Sequence, residues 1–241
     1  MYGFIHIPKT AGRAFVTALL QNAPQDTVHI AGLFELANFP DLFDETRILT
    51  GHIPRFVYDW MRPQRRLVTI LRDPVERVLS GYRYANTSES HPAFRAMCKH
   101  RPSIAACLQH PYMRSEFSNF QTKMLGMTAT AKNVEWPPKG MASAKDFAVS
   151  LTELQYMPVR SDMLARAMML IDTGRVKAAC LEHNGSVLAL CSEMTGHKVT
   201  EIPRVNETLK TDWVPSAADI ALIQEHNQID IALYKYALER I

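Results

Sequence analysis

The segment Leu67–Leu71 (LVTIL) limits the fold more than any other stretch of this chain. Five consecutive apolar or β-branched residues read as a strand buried on both faces. The strand runs straight into Arg72, Asp73 and Pro74. Asp is a favoured helix N-cap and Pro suits the first helical turn, so a helix is predicted to open at once. Glu76 falls at the third helical position, where it can reach back as in a capping box. Val75, Val78, Leu79 and Tyr82 then share one helical face. A buried strand joined by a short turn to an amphipathic helix is the unit from which parallel α/β sheets are built.

The same grammar recurs along the chain. Tyr2–Ile7 reads as a first strand, Pro8–Gly12 as a loop and Ala14–Gln21 as a helix. Arg47–Thr50 is a second expected strand, ending at Gly51. Lys177–Leu181 is a late one, followed by a helix over Ser186–Thr195 that Gly196 stops. Ser115–Leu125 and Ser143–Leu154 read as helices, and Ser88–His110 as a polar excursion without clear period. Ser216 caps a long last helix in which Ile220, Ile223, Asn227, Ile231, Tyr234 and Leu238 step by three or four. There is no internal repeat or linker. The expectation is one α/β domain over residues 1–241, with a P-loop-like central parallel sheet flanked by helices.

Composition narrows the function classes. The chain has 241 residues, 47% hydrophobic and 21% charged, enough to bury a full core without staples. Lys and Arg number 27 against 24 Asp and Glu, a net charge of +3. That is too weak a balance to argue for nucleic acid, but it is compatible with a local pocket for a small anion. The four cysteines, Cys98, Cys107, Cys180 and Cys191, form no C-x-x-C pair and are expected to be reduced thiols of a cytoplasmic protein. The opening residues lack a basic run before an apolar one, so they do not read as a signal peptide, and no stretch reads as an integral membrane segment.

Two turns carry candidate chemistry. Pro8–Gly12 (PKTAG) lies between a strand and a helix, where backbone N–H groups converge on an anion. Lys9 offers charge, Thr10 a hydroxyl donor, Gly12 close backbone approach, and Arg13 a second cation at the helix start. A nucleotide kinase loop would need G-x-x-x-x-G-K-[ST]; here Lys9-Thr10 precede the glycine and the upstream glycine spacing is absent. The alternative is an ordinary turn with a solvated lysine. In the second turn, Arg72 ends the best strand, at the usual ligand crevice of α/β sheets, and Ser80 lies two turns into the helix. The alternative there is a surface set of Arg72 and Arg77 with Asp73 and Glu76.

Taken together, HIPKTAG and LRDPVERVLSGYRY resemble the carbohydrate-type sulfotransferases, the family that includes heparan sulfate 2-O-sulfotransferases and bacterial relatives. The resemblance implies 3′-phosphoadenosine-5′-phosphosulfate (PAPS) as co-substrate, PAP as product, and a hydroxyl-bearing acceptor, a glycan or glycolipid. It implies that Lys9, Thr10, Ala11, Gly12 and Arg13 line the 5′-phosphosulfate site, and that Arg72 and Ser80 hold the 3′-phosphate. Weaker echoes lie at Asn119–Thr122 with Leu125-Gly126, at Glu182–Gly196 and in the last helix at Asn227, Asp230, Leu233 and Tyr234. Another is Arg204–Thr208, which resembles a loop near the nucleotide and adds Arg204 to the nucleotide contacts. The chain departs from the family at Arg13 and Ala14, where hydroxyl residues are frequent.

Sulfuryl transfer needs a cation at the leaving oxygen and a base at the acceptor hydroxyl. Lys9 is the expected cation. His52, in Thr50-Gly51-His52, follows a predicted strand and resembles the Gly-His in which the 2-O-sulfotransferases carry their base; they have a second histidine where this chain has Thr50. The alternative is a histidine that bonds a loop backbone. His6 is expected to pack. Cys98, His100, Cys107 and His110 do not match a zinc spacing, and no metal is expected. Arg55, Arg83 and Arg114 read as solvated surface or as part of an acceptor cleft. Phe56, Tyr58 and Trp60 read as sugar-stacking or core residues. The competing functions are a P-loop-like nucleotide kinase and a non-catalytic nucleotide- or anion-binding module.

Overall fold

The computed structural model describes residues 1–61, 64–128, 157–205 and 213–241. The helix expected over Ser143–Leu154 lies outside these residues, as do Asn206, Glu207 and Thr208 of the Arg204–Thr208 loop. Among the described residues, β1 (Tyr2–Ile5), β2 (Val28–Ile30), β3 (Ile48–Gly51), β4 (Arg66–Leu71) and β5 (Val176–Cys180) form an all-parallel sheet. Its order is β2-β3-β1-β4-β5. The fold class expected from the sequence, a P-loop-like parallel sheet flanked by helices, is the one observed.

Side chains alternate along each strand and sort to two faces. Phe4, Ile48, Val68 and Ile70 point into a cluster covered by α1 (Gly12–Asn22) and α10 (Asn184–Thr195), with Phe15, Leu19 and Leu190 among its members. Ile5, Leu49, Leu67 and Leu71 point the other way, toward α3 (Arg55–Trp60), α8 (Phe120–Gly126), α9 (Ser161–Asp172) and α12 (Gln228–Leu238). Burial on both faces explains why β4 shows no polar alternation. Each such Leu, Ile or Phe contributes about 1.5–3 kcal/mol of burial free energy. A smaller cluster joins α4 (Pro74–Thr87), α5 (Phe94–His100), α6 (Ile104–Gln109), α7 (Pro111–Phe117) and α11 (Ala217–His226). The crossover from β2 to β3 carries α2 (Leu33–Asn38). The chain leaves β1 toward one edge of the sheet and β4 toward the other. The switch point therefore opens beyond the carboxyl ends of β1 and β4, between the two basic turns.

Three expectations change. The excursion Ser88–His110 contains α5 and α6, separated by Arg101 in a left-handed conformation (φ 41°). The helix expected over Ser115–Leu125 is two helices, α7 and α8, broken at Ser118-Asn119, with Asn119 at φ 49°. The long last helix is likewise two, α11 and α12, broken at Asn227. The two breaks are bonded to each other. Asn227 Oδ1 accepts from the Asn119 N–H (2.9 Å), its Nδ2 donates to the Phe117 carbonyl (2.8 Å), and Asn119 Oδ1 accepts from the Asp230 N–H (3.0 Å). Asp230, fully buried, accepts from the Gln121 and Thr122 N–H groups at 3.0 and 2.7 Å and so caps α8. An unbroken apolar period conceals such breaks, because polar side chains make them from a distance.

Candidate active site

The turn after β1 winds left-handed at Lys9 (φ 70°) and Ala11 (φ 62°), not at Gly12. Gly12 is needed for space: a Cβ there would overlap the His6 ring. α1 starts at Gly12 with no side-chain cap, so the N–H groups of its first turn have no side-chain partner among the described residues. Thr10 is fully buried and its hydroxyl donates to the Ile7 carbonyl (2.9 Å), closing the turn. Lys9 lies with Nζ 4.0 Å from the centre of the Tyr84 ring on α4. Burial, then the charges of Arg72 and Arg13, lower the Lys9 pKa to about 8. Arg13 is exposed, and neither it nor Lys9 has a carboxylate partner among the described residues.

The second turn leans on the first. Arg72 Nη1 donates to the Lys9 carbonyl (3.2 Å), and its other terminal nitrogen lies 3.6 Å from Glu76. Its Nε is 4.0 Å from Glu182 and makes no hydrogen bond, an orphaned buried donor. Gln121 fixes the Arg72 backbone from both sides: Oε1 accepts from the Arg72 N–H and Nε2 donates to the Arg72 carbonyl, each at 2.9 Å. The Asp73 side chain caps α4, accepting from the Val75 and Glu76 N–H groups at 2.9 and 3.0 Å. The reciprocal half of the expected capping box is absent. Glu76 turns to Arg72 instead, and the Asp73 N–H donates to Glu182 (3.1 Å), which Tyr234 holds through its hydroxyl (2.7 Å). Ser80 is half-buried on the helical row between Glu76, which pairs Arg72, and Tyr84, which carries Lys9. Its hydroxyl has no hydrogen-bond partner among the described residues.

His52 follows β3. Its Nδ1 donates to the His6 carbonyl (2.8 Å), which fixes the tautomer and leaves Nε2 as an acceptor. Gly51 before it is required because a Cβ would collide with the Ala31 carbonyl, just past the neighbouring β2. The residue is exposed, and its ring packs tilted on that of His6, with centroids 4.3 Å apart. Burial lowers its pKa, against the raising effects of the His6 hydrogen bond and the Glu116 charge. Glu116 on α7 is itself held by the Tyr112 hydroxyl (2.8 Å) and by His91 Nε2 (3.2 Å).

Other candidates fall elsewhere. Arg55 is neither solvated nor in a cleft: it is buried, bonds the Leu125 and Met127 carbonyls and pairs with Asp59. Arg77 is no surface residue either; it is 2% exposed and donates to the Glu116 carbonyl (2.8 Å). Arg83 lies over Trp213, and Arg114 is exposed. Phe56 and Tyr58 are core residues, and Trp60 packs edge-on against Phe56. Arg204 is exposed, and no contact among the described residues ties it to the crevice; Ile202 beside it packs on the α1 and α10 face. Cys107, Cys180 and Cys191 are free and buried, their pKa values pushed up to about 11, 12 and 11 by burial. Among the described residues no group of three His, Cys, Asp or Glu could hold a metal ion, and no helix is long and apolar enough to cross a membrane. Sequence reasoning missed Tyr84, Glu116 and Glu182 as groups around the cations; only Glu182, just past a strand end, carried a positional signal. No protein-family model matches the chain, and no curated protein matches it.

Proposed function

We propose that this chain is a sulfotransferase that moves the sulfuryl group of PAPS to a hydroxyl of a glycan or glycolipid and releases PAP. One observation carries the reading: at the switch point between β1 and β4, Lys9, Arg13, Arg72 and the uncapped first turn of α1 gather at one crevice, and His52, with Nε2 left as an acceptor, follows the neighbouring β3. The resemblance of HIPKTAG and LRDPVERVLSGYRY to carbohydrate-type sulfotransferases supports the same assignment. A doubly phosphorylated nucleotide also fits what the residues offer: the orphaned Arg72 Nε and the Ser80 hydroxyl, unbonded among the described residues, suit a 3′-phosphate, and Lys9 with the α1 N–H groups suits the 5′-phosphosulfate.

The co-substrate supplies an SO₃ group on a phosphate oxygen. His52 Nε2 takes the proton of the acceptor hydroxyl while the His6 carbonyl holds Nδ1–H, so the ring keeps its orientation as it gains charge. Lys9, lightly paired before the anion arrives, has most to gain as negative charge builds on the leaving oxygen. Arg13 adds charge to the same turn. The cations and helix N–H groups supply the positive field, and the reading invokes no metal. A cytoplasmic location goes with it.

Thermal unfolding tests the reading. PAP should raise the melting temperature, and ATP with magnesium should do so much less; equal stabilisation would overturn the assignment in favour of a general nucleotide site. Arg72→Ala should weaken PAP while hardly changing the affinity for 5′-AMP, a loss of about 1.5–3 kcal/mol for one charged hydrogen-bonding group. PAP binding without transfer to any glycan, glycolipid or small alcohol offered with labelled PAPS would favour a non-catalytic binding module.

A further inference from the structure

The His6 side chain has no part in the chemistry above, yet its ring stands between the phosphate turn and the base. It stacks on Phe4 (centroids 5.7 Å apart, 10° between planes) and carries the His52 ring at 4.3 Å. It fills the hollow that Gly12 leaves at the start of α1. Its carbonyl accepts the His52 Nδ1–H. We propose that His6 is a positioning residue, a neutral aromatic wedge through which the Pro8–Gly12 turn sets the place and surroundings of the His52 ring. The inference rests on the reading of His52 as the base.

The wedge stays uncharged in use. Burial, then His52 and Arg13, lower the His6 pKa to about 3. The charged or titratable groups that bear on the two rings are Arg13 from α1 and Glu116 from α7, besides the rings themselves. The role is therefore steric and dielectric, and an apolar ring of similar size can fill it. An ordinary spacer would tolerate Ala. A wedge would not, because removing it opens one face of His52 to water and leaves only the backbone hydrogen bond to orient it.

The test is NMR of the histidine side chains in the full chain, with no ligand added. In the native protein His52 should show one tautomer, with the proton on Nδ1, and titrate below the ordinary imidazole range. His6→Ala keeps the backbone carbonyl and with it the tautomer, but should move the titration up toward the ordinary value. His6→Phe should restore the native pattern, and Gly12→Ala, which displaces the ring without removing it, should reproduce the Ala result. Unchanged His52 titration in folded His6→Ala would overturn the proposal, as would failure of His6→Phe to restore it. PAP binding is read separately: His6→Ala should keep PAP affinity within about threefold, far below the loss of a charged contact. A native protein that ignores PAP would sink the sulfotransferase reading while leaving the wedge result intact.

Discussion

Replacing Lys9 with methionine should make the ligand-free protein more stable and the nucleotide complex weaker. The amine is partly buried beside two arginines, and its pKa falls from 10.5 to about 8. Folding therefore disfavours its charge. Above pH 10.5 the amine is neutral folded or unfolded and the penalty vanishes. As pH falls from 10.5 to 8 the unfolded chain binds a proton that the folded one resists, and below pH 8 the full penalty applies. Fully expressed, that drop corresponds to about 3 kcal/mol. Partial exposure to solvent reduces it to about 1–2 kcal/mol. Methionine keeps the length and loses the cation over Tyr84, a contact worth about 0.5–1 kcal/mol, part of which a sulfur–aromatic contact returns. Lys9→Met should thus gain about 1 kcal/mol in urea unfolding at pH 7, a gain that shrinks between pH 8 and 10.5. Its PAP affinity, measured by calorimetry, should fall by about 1.5–3 kcal/mol. A variant that is less stable at pH 7 and binds PAP within twofold of the native protein would refute the argument from both sides.

His52→Ala should leave PAP affinity nearly intact and lower turnover by about 10²–10⁴-fold with the true acceptor. Because burial holds the His52 pKa down, the acid limb of native turnover should lie below the ordinary imidazole value, and the Lys9 amine should close the profile on the alkaline side near pH 8. Gln121→Met should strip both side-chain hydrogen bonds from the Arg72 backbone, cost about 1–3 kcal/mol in unfolding experiments and weaken PAP by way of Arg72; PAP affinity equal to that of the native protein would show that the arginine needs no such clamp.

The sheet and its two basic turns are legible in the sequence because they are local. LVTIL must be buried, Asp73-Pro74 must start a helix, and Lys9 must fall between a strand and a helix. The three-residue β2 is too short to show a period. Arg55 and Arg77 look like surface residues because their partners are the carbonyls of Leu125, Met127 and Glu116, far along the chain. His52 was legible as a strand-end histidine, but the His6 ring beneath it was not, since only parallel pairing of β1 with β3 brings the two together. A glycine suggests a left-handed turn; here the left-handed residues are Lys9 and Ala11, and Gly12 serves the His6 ring.

The bonds among Asn119, Asn227 and Asp230 join positions more than a hundred residues apart, and they cap the helix from which Gln121 reaches Arg72. Contacts of such sequence separation carry a large loop-closure cost and form late. A chain emerging from the ribosome can pair its first four strands and shape the Pro8–Gly12 turn long before residues 227–230 exist. The α8 cap, and with it the clamp on Arg72, cannot form until the final helices have been synthesised. The Arg72 turn is thus the last part of the crevice to mature, and a chain cut short before Asn227 would carry one basic turn shaped and the other loose.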